Sequence, residues 1–294
     1  MYWLYVALEK DTARGICIMD RSSVQRGALK RNFLKEIIMR LDFQGVLQAE
    51  MEKVLLKAKP FLKEHNFNRY SEDVQNEIIT NNNDQNVGGQ VGIKDVKAQV
   101  VYTFTSESAG YSLKLSNTSI ILVVSSQGYA PFDDYSNIFC NIATMYRDKI
   151  DFFTPKRFGL RKINILLLNM GVDINQYFSS SFFNREEPIE HFETQRSRRQ
   201  DNLSDGIKHI NISFQTDKGN ASGVPVTQAV LDSDIYLETQ KEIEQTIFDI
   251  VQLNQINDIL FKIYINSVTE EFLDLLTNED ETIPEGVIGV ENNG

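Results

Sequence analysis

The sequence predicts an α+β fold in which antiparallel or mixed sheets are covered by helices. One observation is a run of three short β-patterned segments over residues 99–125, which are joined by tight connections as in a β-meander. The other is apolar residues that recur at three- and four-residue spacing, which indicates amphipathic helices over residues 48–67, 133–150 and 243–263. Together these patterns favour sheets with helices packed on one face.

The first half of the chain begins with a strand at residues 33–43, whose last residues alternate between apolar and polar. After the helix at 48–67, residues 80–95 are polar and rich in glycine, which predicts a loop. The predicted strands of the meander are 99–105, 111–115 and 119–125. The helix at 133–150, with Asp133 or Asp134 as its cap, is expected to lie across the meander.

Residues 156–168 predict a central strand, because the run is rich in branched apolar residues and is flanked by a proline and by turn residues. Alternation places Arg157 and Arg161 on one face of this strand. Only its second half, Ile165 to Leu168, is apolar enough for burial on both faces. The two arginines are candidate partner contacts, since together they can hold a carboxylate from a neighbouring helix or from a partner protein.

The second half continues with a short helix at 174–183 and a charged, irregular surface segment at 184–206. That segment carries a basic cluster at Arg196 to Arg199, which is either a solvated loop or a phosphate-binding patch. Residues 207–216 and 228–238 predict the two strands of a hairpin.

The helix at 243–263 carries a long apolar stripe. The stripe either covers its own sheet or is shared with a second copy of the chain in a homo-oligomer or with another subunit. Ser267 and Glu270 have the spacing of a capping box and predict the start of a last short helix. The acidic residues 277–294 predict a flexible tail.

The order strand, helix, strands, helix occurs twice, which predicts two α+β halves at 30–152 and 153–276. Either a duplication or the common packing of helices on one face of antiparallel sheets explains this order. Residues 1–29 are expected to form an N-terminal arm or an edge strand.

The composition limits the classes of partner. The 294 residues are 41% hydrophobic and 10% aromatic, which predicts a globular body with a sizeable core. Asp and Glu number 41 against 30 Lys and Arg, and the formal net charge is −11. Because this charge repels phosphate backbones, it disfavours nucleic acid and favours protein partners.

Cysteine usage predicts a cytoplasmic protein. Cys17 and Cys140 lie far apart without a CxxC pattern, so neither a disulfide framework nor a cysteine zinc site is expected. No apolar run approaches the ~20 residues that a membrane-spanning helix needs, so no membrane segment is expected.

The search for chemistry yields no catalytic, cofactor-binding or metal-binding residues. His65, His191 and His209 have no second histidine or cysteine at metal-ligand spacing. The glycines at 88, 89 and 92 are not followed by the GK[ST] of a phosphate-binding loop, and no GxSxG or SxxK pattern occurs. The sequence therefore predicts a protein that is not an enzyme and that uses no cofactor. A dispersed active site would leave no such pattern and stays open.

Four short motifs carry a resemblance to a known family. They are Arg157-Phe158-Gly159-Leu160-Arg161-Lys162-Ile163-Asn164, Ile38 to Phe43, Tyr102 to Thr105 and Ser267 to Glu270. Over about residues 30 to 276 the chain resembles a sporadically distributed family of uncharacterised bacterial proteins with an RxGLRYIN-like strand. Lys162 stands where that pattern favours tyrosine. The resemblance implies a bacterial origin and a shared fold, and it implies no catalytic residues.

Two function classes follow. The first is a non-catalytic protein-interaction subunit, such as an antitoxin-like or anti-phage defence accessory protein, whose protein partner is encoded by a neighbouring gene. The acidity and the lack of catalytic motifs favour it. The second is an RNA-contacting or RNA-processing protein with a dispersed site, because antiparallel sheets can present a face to single strands. The net charge counts against this second class.

Overall fold

The structure is a computed structural model that describes residues 21, 23–80, 93–125, 131–183, 189, 194–203 and 206–292. Most of the predicted N-terminal arm lies outside the described residues, as do Cys17, His191 and the glycines at 88, 89 and 92. Over the described ranges, five helices accompany an open antiparallel sheet, which confirms the predicted α+β class.

The elements are as follows. The strands are β1 (Arg31–Asn32), β2 (Leu34–Gln44), β3 (Arg69–Thr80), β4 (Ile93–Ser106), β5 (Tyr111–Leu115), β6 (Ser119–Ser125), β7 (Thr154–Asn169), β8 (Thr194–Leu203), β9 (Gly206–Ala221), β10 (Val224–Leu237), β11 (Val287–Ile288) and β12 (Glu291–Asn292). The helices are α1 (Met51–Glu64), α2 (Phe132–Lys149), α3 (Gln240–Ile247), α4 (Ile250–Ser267) and α5 (Glu270–Thr277).

The strand order of the sheet is β3-β4-β5-β6-β2-β7-β10-β9-β8, with β11 paired to β7. The chain divides into two compact units. The first, here the meander unit, consists of residues 38–158 and 238–250. The second, here the hairpin unit, consists of the described residues up to 37 together with 159–237 and 251–292. Each unit is therefore assembled from separate stretches of the chain.

In the meander unit, alternate residues of β5 and β6 form the core. Leu113 lies opposite Leu122 in the register of the two strands, and both side chains are fully buried. Helix α2 contacts the turn between these strands, because the hydroxyl of Tyr146 donates a hydrogen bond of 2.9 Å to the backbone oxygen of Ser116. Every second residue of the strands and every third or fourth residue of the helix is buried, and these buried faces form one core.

The core of the hairpin unit is a cluster of aromatic rings around Phe33. Its ring centroid lies 5.8 Å from that of Phe178, 4.9 Å from that of Tyr264 and 5.6 Å from that of Phe272. These residues come from the segment before β2, the turn after β7, α4 and α5. Because aromatic rings bury large areas, this cluster joins four separate segments into one core.

Two buried arginines cover the carboxyl ends of the last two helices. Arg21 donates hydrogen bonds to the backbone oxygens of Ile265 and Val268, at the end of α4. Arg31 donates to the backbone oxygen of Leu275 at 3.3 Å, near the end of α5. A cation at this place satisfies carbonyl groups that lack a partner within the helix.

The structure corrects two segments where strands were not predicted. β3 was not predicted at all, and β8 occupies part of the segment 184–206 that was expected to be irregular. Both strands lie at the ends of the strand order and consist mainly of polar residues. Such strands are held by backbone hydrogen bonds to a neighbouring strand. Their residues therefore need not alternate between apolar and polar, and the sequence pattern does not reveal them. The segment 80–95 is likewise not entirely a loop, since β4 begins at Ile93.

The predicted helices after β7 also differ. The segment 174–183 contains two 3₁₀ turns in place of an α-helix. The long helix 243–263 is two helices, α3 and α4, which are separated at Phe248 and Asp249. Residues of its apolar stripe are buried within the chain, as Ile243, Ile256 and Leu260 show. Val251, which belongs to the same stripe, is 60% exposed, so the sharing of the stripe with a second copy stays a prediction.

The structure also corrects the cap of α5, the C-terminal tail and the burial of β7. The cap of α5 is Thr269, whose hydroxyl accepts from the backbone N–H of Phe272, whereas the hydroxyl of Ser267 donates to the backbone of Tyr264. In the tail, β11 pairs with β7 and β12 pairs with β1, so residues 287–292 are ordered by strand pairing. In β7, Ile165 is only half-buried, so burial on both faces of the strand was a wrong prediction.

Candidate functional site

The structure gives Arg161 a partner within its own unit. Its Nε donates to Oδ1 of Asp232 at 2.7 Å and its Nη2 to Oδ2 at 2.5 Å, a bidentate pair between β7 and β10. This hydrogen bonding raises the pKa of Arg161 above its ordinary value, and the charges of Asp234 and Glu36 add to the effect. The carboxylate that sequence analysis expected from a helix or a partner thus comes from a neighbouring strand.

Arg157 lies four residues earlier on β7 and is half-buried. It belongs to the meander unit and has an interaction with another group. Arg161 is therefore already occupied by a carboxylate of its own unit, and the role of both arginines as partner contacts stays a prediction.

We expect Arg161→Ala to lower the free energy of unfolding by about 1 kcal/mol, because the pair is bidentate but lies near solvent. Asp232→Ala should cost a similar amount, and the double variant should cost little more than either single one. Urea unfolding at low and high salt measures this, and salt should reduce the difference. Loss of partner binding without any loss of stability would instead show that Arg161 acts as a partner contact.

Strand β3 lies at one end of the strand order of the described residues. This strand pairs with β4 on one side and ends the strand order on the other. It is twelve residues long and contains no proline. Residues 69–74 are exposed on both faces of the strand. The outer side of β3 therefore presents a row of backbone N–H and C=O groups as a template for another strand.

The side chains of this edge are apolar and acidic. Tyr70, Glu72 and Val74 alternate along one face, and Val74 is 68% exposed while Tyr70 is 41% exposed. The Lys59 ammonium lies 4.2 Å from the ring centroid of Tyr70, which holds this ring against α1. Asp73 adds a second carboxylate on the opposite face. Sequence analysis missed these residues, although the alternation of Tyr70, Val74 and Ile78 is a weak strand signal.

Strand β8 ends the other side of the strand order and pairs with β9. It contains Arg196, Arg198 and Arg199, so the predicted basic cluster lies on a strand and not in a loop. The two end strands thus carry charges of opposite sign.

Lys162 has an unusual environment for a lysine. It lies on β7 on the same face as the buried residues Leu160 and Asn164. Burial, followed by the positive charge of Arg26, lowers the pKa of Lys162 to about 7, while Asp258 acts in the opposite direction. Sequence analysis noted this lysine only as a departure from a tyrosine pattern.

We expect Lys162→Met to raise the free energy of unfolding at pH 7 by roughly 1–3 kcal/mol, because a half-buried amine is replaced by an apolar side chain. The folded-state pKa is about 7 and the ordinary value is 10.5, so between these values the unfolded chain binds a proton that the folded chain releases. The stability of the wild type should therefore rise from pH 7 to pH 10, and the advantage of methionine should shrink. Chemical unfolding at both pH values measures this, and a gain independent of pH would contradict it.

The remaining candidates from the sequence have ordinary packing roles. The ring of His65 lies 4.2 Å from that of Phe61, and the ring of His209 stacks on Tyr236 at 4.8 Å. Burial raises the pKa of the Cys140 thiol to about 12, so this cysteine is a weak nucleophile. Within the described ranges, no three His, Cys, Asp or Glu residues are grouped so that they could hold a metal ion.

The described helices include none that is long and apolar enough to cross a membrane. In the comparisons with known proteins, no family model and no curated protein matches this chain.

Proposed function

We propose that the chain is a non-catalytic protein-interaction subunit that binds an extended, basic segment of a protein partner along the outer edge of β3. The observation that carries the proposal is a long, exposed strand that has a neighbouring strand on one side only among the described residues. Added strands gain main-chain hydrogen bonds along such an edge, and side-chain pairs across the new ladder give specificity.

The charge of β3 selects the partner. Glu72, Asp73 and Glu77 give this strand three carboxylates against the single cation of Arg69. That cation is already engaged, because Nη1 of Arg69 lies 2.8 Å from Oε1 of Glu107. The whole chain has a net charge of −11, which adds long-range attraction for a basic segment. Phosphate backbones are repelled by the same charges.

The alternation of β3 predicts the sequence of the bound segment. Residues directly opposite each other in an added strand pair on the same face. A basic residue opposite Glu72 would then be flanked, two positions away on either side, by apolar residues opposite Tyr70 and Val74. The expected recognition pattern is therefore apolar-x-basic-x-apolar.

The test is selection from a library of random peptides on the immobilised full-length protein. Wild type should enrich the apolar-x-basic-x-apolar pattern, and Glu72→Lys with Asp73→Lys should weaken the enriched peptides at least about tenfold and select acidic peptides instead. Both positions are exposed, so the fold should tolerate the change. The matched control is Glu52→Lys with Glu64→Lys on the exposed face of α1, which should bind as wild type does.

Three outcomes would overturn the proposal. These are no enrichment, enrichment without charge preference, and equal binding by the β3 variant. The mass of the purified protein in solution distinguishes self-association of the chain from binding of a separate partner. If the chain self-associates and the β3 variant is monomeric, the occupant is a second copy, for which the basic strand β8 is the matching segment, and the separate partner is excluded. If the chain stays monomeric, a product of a neighbouring gene is tested with the same variants.

A further inference from the structure

The ring of Tyr70 on β3 has three neighbours within the meander unit. Its centroid lies 4.9 Å from that of Phe104, the residue opposite it in the register of β3 and β4. The ammonium group of Lys59 on α1 lies 4.2 Å from the same centroid. The hydroxyl of Tyr70 donates a hydrogen bond to the carboxylate of Glu72. These contacts hold the ring in place, although Tyr70 is 41% exposed.

The ring face of Tyr70 and the carboxylate of Glu72 together form a site for one cation, here called the cation site. Burial, followed by the hydrogen bond to Glu72, raises the pKa of Tyr70, so the hydroxyl keeps its proton and continues to donate to the carboxylate. An aromatic ring face attracts a cation, and a carboxylate beside the ring adds to the attraction. Lys59 places its ammonium group at the ring face of this site.

We propose that Lys59 competes within the chain against the basic residue of the bound segment for the cation site. This inference rests on the proposed binding of a basic segment along β3. In an added strand, the residue opposite Glu72 lies diagonal to Tyr70, within reach of a long side chain. A lysine or arginine at that position takes the place of the Lys59 ammonium over the ring, and Lys59 turns out to solvent.

The position of Lys59 makes this exchange accessible. Lys59 is exposed, and its ammonium group is carried on a flexible four-carbon stem, so it leaves the ring without disturbing α1. Two cations over one ring repel each other, so binding of the second requires departure of the first. A cation–ring contact at an exposed site corresponds to a roughly two- to fivefold change in affinity. Lys59 therefore lowers the affinity of β3 for a basic strand by that factor.

The first experiment measures the affinity of the peptides enriched on the wild-type protein for three full-length variants. Lys59→Ala should bind them roughly two- to fivefold more tightly than the matched control Lys57→Ala. Both lysines are exposed on α1, and both substitutions change the net charge by the same amount and introduce a good helix former. Lys59→Arg keeps a cation at the ring and should bind no more tightly than wild type. Added salt should remove the effect of Lys57→Ala and leave most of the difference between the alanine variants.

The second experiment probes the cation site without a peptide. The full-length protein, with isotope-labelled tyrosine rings, is titrated with tetramethylammonium chloride and observed by NMR, and sodium chloride is the control for ionic strength. The ring resonances of Tyr70, identified by their loss in Tyr70→Phe, should shift in Lys59→Ala and move much less in wild type, where the ammonium of Lys59 covers the ring.

The outcomes separate this inference from the proposed function. Peptides that bind wild type and bind both alanine variants with equal affinity would overturn the competition by Lys59 and leave strand binding at β3 intact. The absence of peptide binding by wild type and by every variant would overturn the proposed function, and the inference with it. Equal tetramethylammonium shifts in wild type and Lys59→Ala would show that Lys59 does not occupy the cation site, whatever the peptides do.

Discussion

Replacing Leu166 by aspartate should lower the free energy of unfolding by more than about 4 kcal/mol, enough to unfold a marginally stable protein. Leu166 is 0% exposed on β7, on the covered face of the strand. The substitution removes a buried apolar side chain and leaves a carboxylate that must either be desolvated or take up a proton. Few single substitutions combine both losses.

Urea unfolding at pH 7, or the yield of soluble protein where the variant does not fold, measures this effect. The matched control is Leu56→Asp, since Leu56 is 72% exposed on α1 and the change should cost under about 1 kcal/mol. A soluble Leu166→Asp variant with the melting temperature of the wild type would show that β7 is not internal to the sheet.

Phe33→Ala should cost about 3–5 kcal/mol, the range for removal of a large buried aromatic side chain. Phe33 is 0% exposed, and its ring contacts those of Phe178, Tyr264 and Phe272. The neighbouring rings belong to separate segments and cannot all move inward, so a cavity should remain. Phe33→Leu should cost less than half as much because it keeps most of the volume.

Thermal and urea unfolding of both variants measure the effect. Phe152→Ala is the control of equal chemistry, since Phe152 is 80% exposed and its loss should change stability by less than about 0.5 kcal/mol. If Phe33→Ala cost no more than this control, the aromatic cluster would not be the core of the hairpin unit.

The acidic side chains of β3 have two consequences for binding. An exposed end strand is a hazard for unselected pairing, and charges on it prevent association with strands of like charge. In the proposed binding mode, Glu72 and Asp73 are expected to reject acidic or purely apolar strands and to allow a basic one. Specificity in this arrangement comes as much from rejection as from attraction.

The sequence by itself determined those elements whose residues alternate between core and solvent. β5 and β6 were predicted at their observed bounds, because burial of every second residue leaves a period of two in the sequence. α2 was predicted within one residue at each end, because its apolar residues follow the helical period. The α+β class follows from these elements, and the structure confirms it.

Tertiary structure alone decided what depends on distant partners. β3 and β8 exist because β4 and β9 supply backbone hydrogen bonds, and their own polar residues carry little periodicity. Arg161 is held by Asp232, which lies 71 positions later in the chain. Burial and the positive charge of Arg26 lower the pKa of Lys162, and Asp258 acts in the opposite direction. Charge pairing and desolvation depend on distances in space, and a linear sequence does not contain those distances.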